Sequence, residues 1–171
     1  MQHEPIDIEA SKLMKRATSE AKNKDFLSAV ESMKMVHQII ERSELLYSHS
    51  TYTKIIPYFQ KAGCYSEAET YCLEFLVPSI RNGITFRMQD TGDEMKQVHF
   101  YQYVSKLYDK LRLIAKREKM HKDEVRFTQE TQVYELRWQE FQVEAERSQL
   151  QKEFKEMKLI SGNDLSEWPN L

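Results

Sequence analysis

One fragment of the sequence has the spacing of a metal site. Glu118 and His121 are separated by two residues, the Glu-x-x-His spacing that di-iron bundles use. Such a site needs a second copy of the motif and two further glutamates that point inward, and the sequence has a single copy. We therefore expect a turn between charged residues here, with no metal and no cofactor.

The cysteines and histidines do not suggest a catalytic set. Cys64 and Cys72 are eight residues apart, have no histidine near them in sequence, and are too few for a disulfide framework. His37, His49 and His99 are scattered along the chain. The sequence also lacks a glycine-rich phosphate loop, an HExxH motif and a Gly-x-Ser-x-Gly elbow. We therefore predict that the protein is not an enzyme.

The main charge feature is a basic cluster between Lys106 and Arg126, which we call the basic ridge. Its local charge is +4, although the whole chain carries −2. It is either a solvent-exposed helix face with internal ion pairs or a surface that attracts an acidic peptide or phosphate. Its basic residues are Lys106, Lys110, Arg112, Lys116, Arg117, Lys119, Lys122 and Arg126, and its acidic residues are Asp109, Glu118, Asp123 and Glu124.

The elements that position these residues are predicted to be helices. The 171 residues include only four glycines and four prolines, 30% of them are charged, and strand signals are almost missing. The fold class should therefore be all-α. The apolar periodicity predicts helices over about 8–22, 26–43, 51–62, 67–81, 94–116 and 122–158, with 83–93 as the longest irregular stretch.

Local signals predict where several helices begin and end. Asp7 and Asp25 precede the first two helices and can cap them. Ser66, with Glu69 three residues later, has the spacing of a capping box. Gly63 can adopt the left-handed conformation that ends the third helix.

The last helix has an apolar stripe and is unusually long. Over 122–158 it would span about 55 Å, whereas a compact globule of this chain length is about 40 Å across. The helix therefore either bends back as a cap on the preceding hairpin or pairs its distal half with a second copy or a partner. The predicted stripe is Phe127, Tyr134, Trp138, Phe141, Ala145, Leu150, Phe154 and Met157.

Two segments resemble the tetratricopeptide repeat, a helix–turn–helix unit with small residues where its helices cross. The better copy, 51–78, matches at Tyr52, Ile55, Phe59, Gly63, Tyr65, Ala68, Cys72 and Phe75. The weaker copy, 13–36, matches at Leu13, Ala17, Phe26, Ala29, Met33 and Val36. A third segment, 104–127, departs from the pattern because Arg112 and Glu124 occupy its small positions.

The resemblance implies antiparallel helical hairpins whose first helices line a concave groove. It divides the chain into a tetratricopeptide-like domain at 1–120, a long amphipathic helix at 121–160 and a flexible tail at 161–171. Tyr103 is included among the contact residues because it lies off the face shared by Tyr101 and Tyr108. The predicted partner-binding residues are Lys61, Tyr103, Lys106, Lys110, Lys116, Arg117, Tyr134, Trp138 and Phe141.

The predicted function is protein–protein interaction, as an adaptor, regulator or immunity-type scaffold that presents a groove and an amphipathic helix. The expected partner is a protein, with an acidic one favoured by the ridge; a homodimer through the last helix is a further expectation. The alternatives are a nucleic-acid-binding regulator using the ridge 106–126, which the net charge disfavours, or a small helical metal-dependent enzyme. The lack of a membrane-length apolar run and of a signal-peptide pattern predicts a cytoplasmic protein.

Overall fold

The structure, a computed structural model, describes residues 5–161, and within them the chain is all-α with no strand, as predicted. The predicted tail at 161–171 lies almost wholly outside the described residues. The helices are α1 (Ile6–Lys22), α2 (Phe26–Ile40), α3 (His49–Thr53), α4 (Ile55–Lys61), α5 (Tyr65–Tyr71), α6 (Val77–Arg87), α7 (Asp93–Arg117) and α8 (His121–Ser161), with a π-helical turn at Cys72–Leu76 joining α5 to α6.

Three tight turns, α1–α2, α4–α5 and α7–α8, share one backbone geometry. The second residue after each first helix has a positive φ, of 64° at Lys24, 77° at Gly63 and 58° at Lys119. In each turn two backbone N–H groups donate hydrogen bonds to carbonyl oxygens in the last turn of the first helix, which is the Schellman arrangement. The predicted left-handed role of Gly63 is confirmed, and the other two turns form the same geometry without a glycine.

Small side chains let the first two hairpins close tightly. Ala17 on α1, Ala29 on α2 and Ala68 on α5 are fully buried, as expected for residues at helix crossings. In the third hairpin the corresponding Arg112 and Glu124 are partly exposed. The α7–α8 pair is therefore held together by larger side chains, which are described below.

The irregular stretch predicted at 83–93 is shorter, at 88–92, because α6 continues to Arg87 and α7 begins at Asp93. Ile84 is buried in the core and draws the segment into the helix. Arg87 also ties α6 to the end of α2, since its guanidinium donates to the carbonyl oxygens of Ile40 at 2.5 Å and Ser43 at 2.8 Å. A cation at this position offsets the partial negative charge of a helix C-terminus.

Two of the three predicted helix caps are wrong. Helix α1 begins before Asp7, whose carboxylate instead accepts hydrogen bonds from the Ser43 and Tyr47 hydroxyls. Helix α5 begins before Ser66, so the capping box does not form. Asp25 caps α2 as predicted, because its side chain accepts a hydrogen bond from a backbone N–H of the first turn.

The last helix extends past its neighbour. Helix α8 has 41 residues and α7 has 25, so at 1.5 Å per residue their lengths are about 61 Å and 38 Å. Residues 146–159 are all exposed. The distal part of α8 therefore projects beyond the hairpins without a break. Among the described residues no helix is long and apolar enough to cross a membrane.

Candidate protein-binding surfaces

A groove of about 560 Å³ lies between α1, α3–α4 and α7, the first helices of the three hairpins. Lys54 reaches it from the α3–α4 junction, and Lys106 and Lys110 reach it from α7. Thr51 and Thr53 add hydroxyl groups to its wall. We call this cavity the basic groove.

The positive charge of the basic groove has little internal compensation. Asp109 is the one carboxylate that lines it among the described residues, and its Oδ1 accepts a hydrogen bond from Arg112 at 2.7 Å. The Lys54 ammonium donates to the neutral hydroxyl of Thr18 at 2.7 Å. Three lysine charges therefore face a groove in which Asp109 already has a basic partner.

The structure places the predicted basic residues in different environments. Lys106 and Lys110 line the groove, whereas Lys116 and Arg117 are exposed at the far end of α7, outside it. The Lys61 ammonium lies 5.2 Å from the centre of the Phe26 ring, also outside the groove. Lys54 was missed, although its place on the first helix of the second hairpin is a sequence signal that could have identified it.

The basic ridge is partly neutralised by ion pairs. The Arg126 guanidinium donates to both carboxylate oxygens of Glu69 and to Asp123 at 3.1 Å. Arg112 is paired with Asp109, as described above. The ridge therefore presents less positive charge than its sequence suggests. Its lysines that form no ion pair among the described residues lie at the groove and around the α7–α8 turn.

Tyr103 lies off the face shared by Tyr101 and Tyr108, but it is buried and so cannot be the exposed contact residue that the sequence predicts. Its side chain is 8% exposed, and its hydroxyl donates to the Tyr47 carbonyl at 2.5 Å. Its ring meets that of Tyr52 edge-on, with 5.8 Å between the centres. The physical reason is that α7 packs against α3 and α4 as well as α8, so two of its faces are buried.

The aromatic side chains of the proximal part of α8 face α7. Tyr134 stacks on Tyr108 with 5.4 Å between ring centres, and Phe141 packs on Tyr101 at 5.5 Å. Phe127 lies 6.2 Å from Tyr108. We call these five rings the aromatic ladder.

Three of the predicted contact residues lie in the aromatic ladder or beside it. Tyr134 and Phe141 belong to it, and the partly buried Trp138 lies between them along α8. The rings of Tyr134 and Phe141 therefore pack within this chain, and a partner could reach only their outer edges.

A second apolar stripe runs along the opposite face of α8. On a helical wheel with about 100° per residue, its five members fall within an arc of about 40°. This arc lies about 180° from the ladder residues of α8. Their side chains are 36% to 61% exposed. We call this set the outer stripe: Val125, Leu136, Val143, Leu150 and Phe154.

The outer stripe corrects the single stripe predicted from the sequence. The step of five residues from Ala145 to Leu150 turns the helix by about 140°. Ala145 is buried toward α7, whereas Leu150 and Phe154 face away from it. The predicted stripe therefore joins residues from two opposite faces of α8.

The residues considered for catalysis do not come together. The Glu118 carboxylate accepts a hydrogen bond from Gln60 at 2.9 Å, and His121 lies 3.7 Å from Glu124. Burial raises the pKa of both free thiols, Cys64 and Cys72. Within residues 5–161 no three metal-ligating side chains cluster.

Comparison with protein-family models, with curated proteins and with solved structures gives no match for this chain. The basic groove and the outer stripe are two candidate binding surfaces, since one presents cationic groups in a cavity and the other presents large apolar groups to solvent.

Proposed function

We propose that this protein is a protein–protein interaction module that holds an acidic segment of a partner in the basic groove. The supporting observation is that Lys54, Lys106 and Lys110 face one cavity whose only described carboxylate is already paired. Opposite charge on a partner would speed the encounter and select against basic competitors.

The proposal takes the hairpins as tetratricopeptide-like units. Its support is the buried alanines at the crossings and the shared turn geometry. In such an arrangement the first helix of each hairpin lines the concave side, and α1, α3–α4 and α7 are those helices here. Backbone and hydroxyl groups along the groove would orient the bound segment, while the lysines supply the electrostatic attraction.

The first test is charge reversal in the groove. The double variant Lys106→Glu and Lys110→Glu should bind a fluorescent Asp- and Glu-rich peptide at least about tenfold more weakly, because two attractive charges become repulsive. Fluorescence anisotropy at low and high salt measures this, and wild-type binding should weaken as salt rises. The same reversal at Lys116 and Arg117 should have a smaller effect, because those residues lie outside the groove.

The matched control carries the same change of charge elsewhere. Lys24→Glu with Arg42→Glu alters two exposed residues that do not line the groove. An equal loss of binding in this control would show that the weaker binding comes from the change in net charge alone, and it would contradict the proposal. Tighter binding of duplex DNA than of the acidic peptide would favour the nucleic-acid alternative.

We further propose that the outer stripe pairs with the same stripe of a second copy, in parallel. Around Leu150, Glu146 and Glu153 lie on one side of the stripe, and Arg147 and Lys158 lie on the other. In a parallel pair opposite flanks meet, so acidic residues of one copy lie beside basic residues of the other. An antiparallel pair would bring like flanks together.

A substitution in the stripe tests this pairing. Leu150→Glu should convert a dimer into a monomer, because it places a charge at the apolar interface. Leu27→Glu is the control, since Leu27 is equally exposed, at 61%, but lies on α2. Light scattering measures the mass, and a wild-type monomer at about 100 µM would contradict the pairing.

Cysteine cross-linking tests the orientation of the pair. Cys64→Ser leaves the buried Cys72 as the one native thiol and removes the accessible competitor. On that background Leu136→Cys and Leu150→Cys, made separately, should both form disulfide-linked dimers, because a parallel pair brings each residue close to its own copy. Cross-linking at one position alone would indicate an antiparallel pair.

A further inference from the structure

A second groove, of about 620 Å³, has a different chemistry from the basic groove. It lies between α2, α4 and α5 with the π-helical turn that follows α5. Phe59, Tyr71 and Phe75 supply its aromatic lining, and Glu67 and Glu74 stand at its exposed edge. We call it the aromatic groove.

The aromatic lining is held in a fixed arrangement. Tyr71 and Phe75 are stacked with 5.2 Å between ring centres and 14° between planes, and Phe59 lies 5.6 Å from Tyr71. The Tyr71 hydroxyl is hydrogen-bonded to the buried His37 at 3.1 Å, which fixes the ring. Phe75 follows in the π-helical turn Cys72–Leu76, a distortion that often marks functional sites.

The groove already holds a cation of its own chain. The Lys34 ammonium lies 5.6 Å from the centre of the Phe59 ring and 6.0 Å from that of Tyr71. Lys34 is also paired with Glu31 at 2.8 Å, so its charge does not offset the carboxylates at the edge. Among the described residues neither Glu67 nor Glu74 forms an ion pair.

We propose that the aromatic groove binds an arginine side chain of a partner protein. The planar guanidinium would take the place of the Lys34 ammonium against the rings of Phe59 and Tyr71 and donate hydrogen bonds to the carboxylates of Glu67 and Glu74. Arginine suits this site better than lysine because its flat, weakly hydrated cation both stacks and donates along fixed directions. The Lys34 ammonium, already paired with Glu31, leaves the rings and keeps that ion pair when the guanidinium enters.

This site is independent of the basic groove, since the two share no lining residue and attract opposite charges. A partner that uses both surfaces would present an acidic segment to one and an arginine to the other. The aromatic groove can therefore be tested with small probes while the basic groove is left intact.

The test uses N-acetylarginine amide with its neutral isostere, N-acetylcitrulline amide. Titration of the full chain, followed by NMR of the aromatic ring signals, should give saturable shifts of Phe59 and Tyr71 with the arginine probe at about 10 mM, and none with citrulline. Glu67→Gln with Glu74→Gln should weaken binding about tenfold, and Lys34→Gln should strengthen it several-fold by removing the internal competitor.

Glu9→Gln with Glu44→Gln is the matched control, because both side chains are exposed and lie outside the groove. Binding by this control should equal that of the wild type. Equal shifts with the citrulline probe, unchanged affinity in the Glu67 and Glu74 variant, or no shift with arginine would each overturn the proposal. Equal affinity for N-acetyllysine amide would overturn the assignment to arginine.

Discussion

Phe127→Ala should lower the free energy of unfolding by about 3–5 kcal/mol, whereas Phe154→Ala should change it by less than about 0.5 kcal/mol. Both residues lie on α8, but Phe127 is 1% exposed and Phe154 is 36% exposed. Removing the Phe127 ring leaves a cavity beside Tyr108 in the aromatic ladder. Removing the Phe154 ring takes away a side chain that already faces solvent.

Urea unfolding of the two variants measures this difference. The pair is matched, since both delete the same atoms from one helix and change its intrinsic helix propensity equally. The measurement should be made at low micromolar protein concentration. At higher concentration a dimer formed through the outer stripe would make the contribution of Phe154 to the free energy of unfolding depend on protein concentration. Similar losses in the two variants would contradict the assignment of these residues to opposite faces of α8.

The all-α class could be predicted because its signals are local. Each helix carries its own apolar period, and few glycines or prolines interrupt it. The fully buried Ala29 and Ala68 were predicted as small crossing residues because both match small positions of the repeat pattern that the sequence resembles. Gly63 and Asp25 were predicted correctly for the same reason, since a turn or cap depends on its nearest neighbours.

The errors occur where the deciding contact is distant in sequence. Asp7 looked like a cap, but its partners Ser43 and Tyr47 are 36 and 40 residues away. Arg87 lies in a stretch without a clear period, and it is held by carbonyl groups at the end of α2. Tyr103 lies on a helix that is covered on two sides, a fact that the period of α7 alone does not reveal.

The candidate surfaces were predicted only in part. Lys106 and Lys110 were found because charge clusters are visible in sequence, whereas Lys54 stands outside any cluster and only its place on the first helix of the second hairpin points to the groove. The two faces of α8 were merged because the step of five residues from Ala145 to Leu150 was taken as a continuation of the stripe, although it turns the helix by about 140°. The aromatic groove was not predicted, since its residues come from three separate helices.

The second large expected effect is a dependence of the protein's stability on pH, and its source is the buried His37. Its side chain is fully buried between the rings of Tyr52 and Tyr71. Nε2 lies 3.1 Å from the Thr51 carbonyl oxygen, which can only accept, so the proton is on Nε2 and Nδ1 accepts a hydrogen bond from the Tyr71 hydroxyl. Burial lowers the pKa of His37 from 6.5 to about 4, against the opposing effect of the Thr51 carbonyl.

This pKa predicts that the protein loses about 3 kcal/mol of stability as the pH falls from 6.5 to 4. Between these values the unfolded chain binds a proton at His37 and the folded chain does not. The unfolded state is therefore favoured progressively as the pH falls through this window, and the full contribution is present only above pH 6.5. Urea unfolding at a series of pH values measures the slope.

The variant His37→Gln isolates this contribution from the other groups that titrate below pH 6.5. Its amide can donate to the Thr51 carbonyl and accept from the Tyr71 hydroxyl, but it has no titrating proton in this range. Asp7 and Asp123 also have lowered pKa values, because hydrogen bonds stabilise their charged forms, and they contribute equally to both proteins below pH 4. The variant should be less stable than the wild type at neutral pH, since an amide fills less space between Tyr52 and Tyr71, yet it should lose less stability on acidification. Parallel pH profiles for the two proteins would show that His37 is not the group that couples folding to pH.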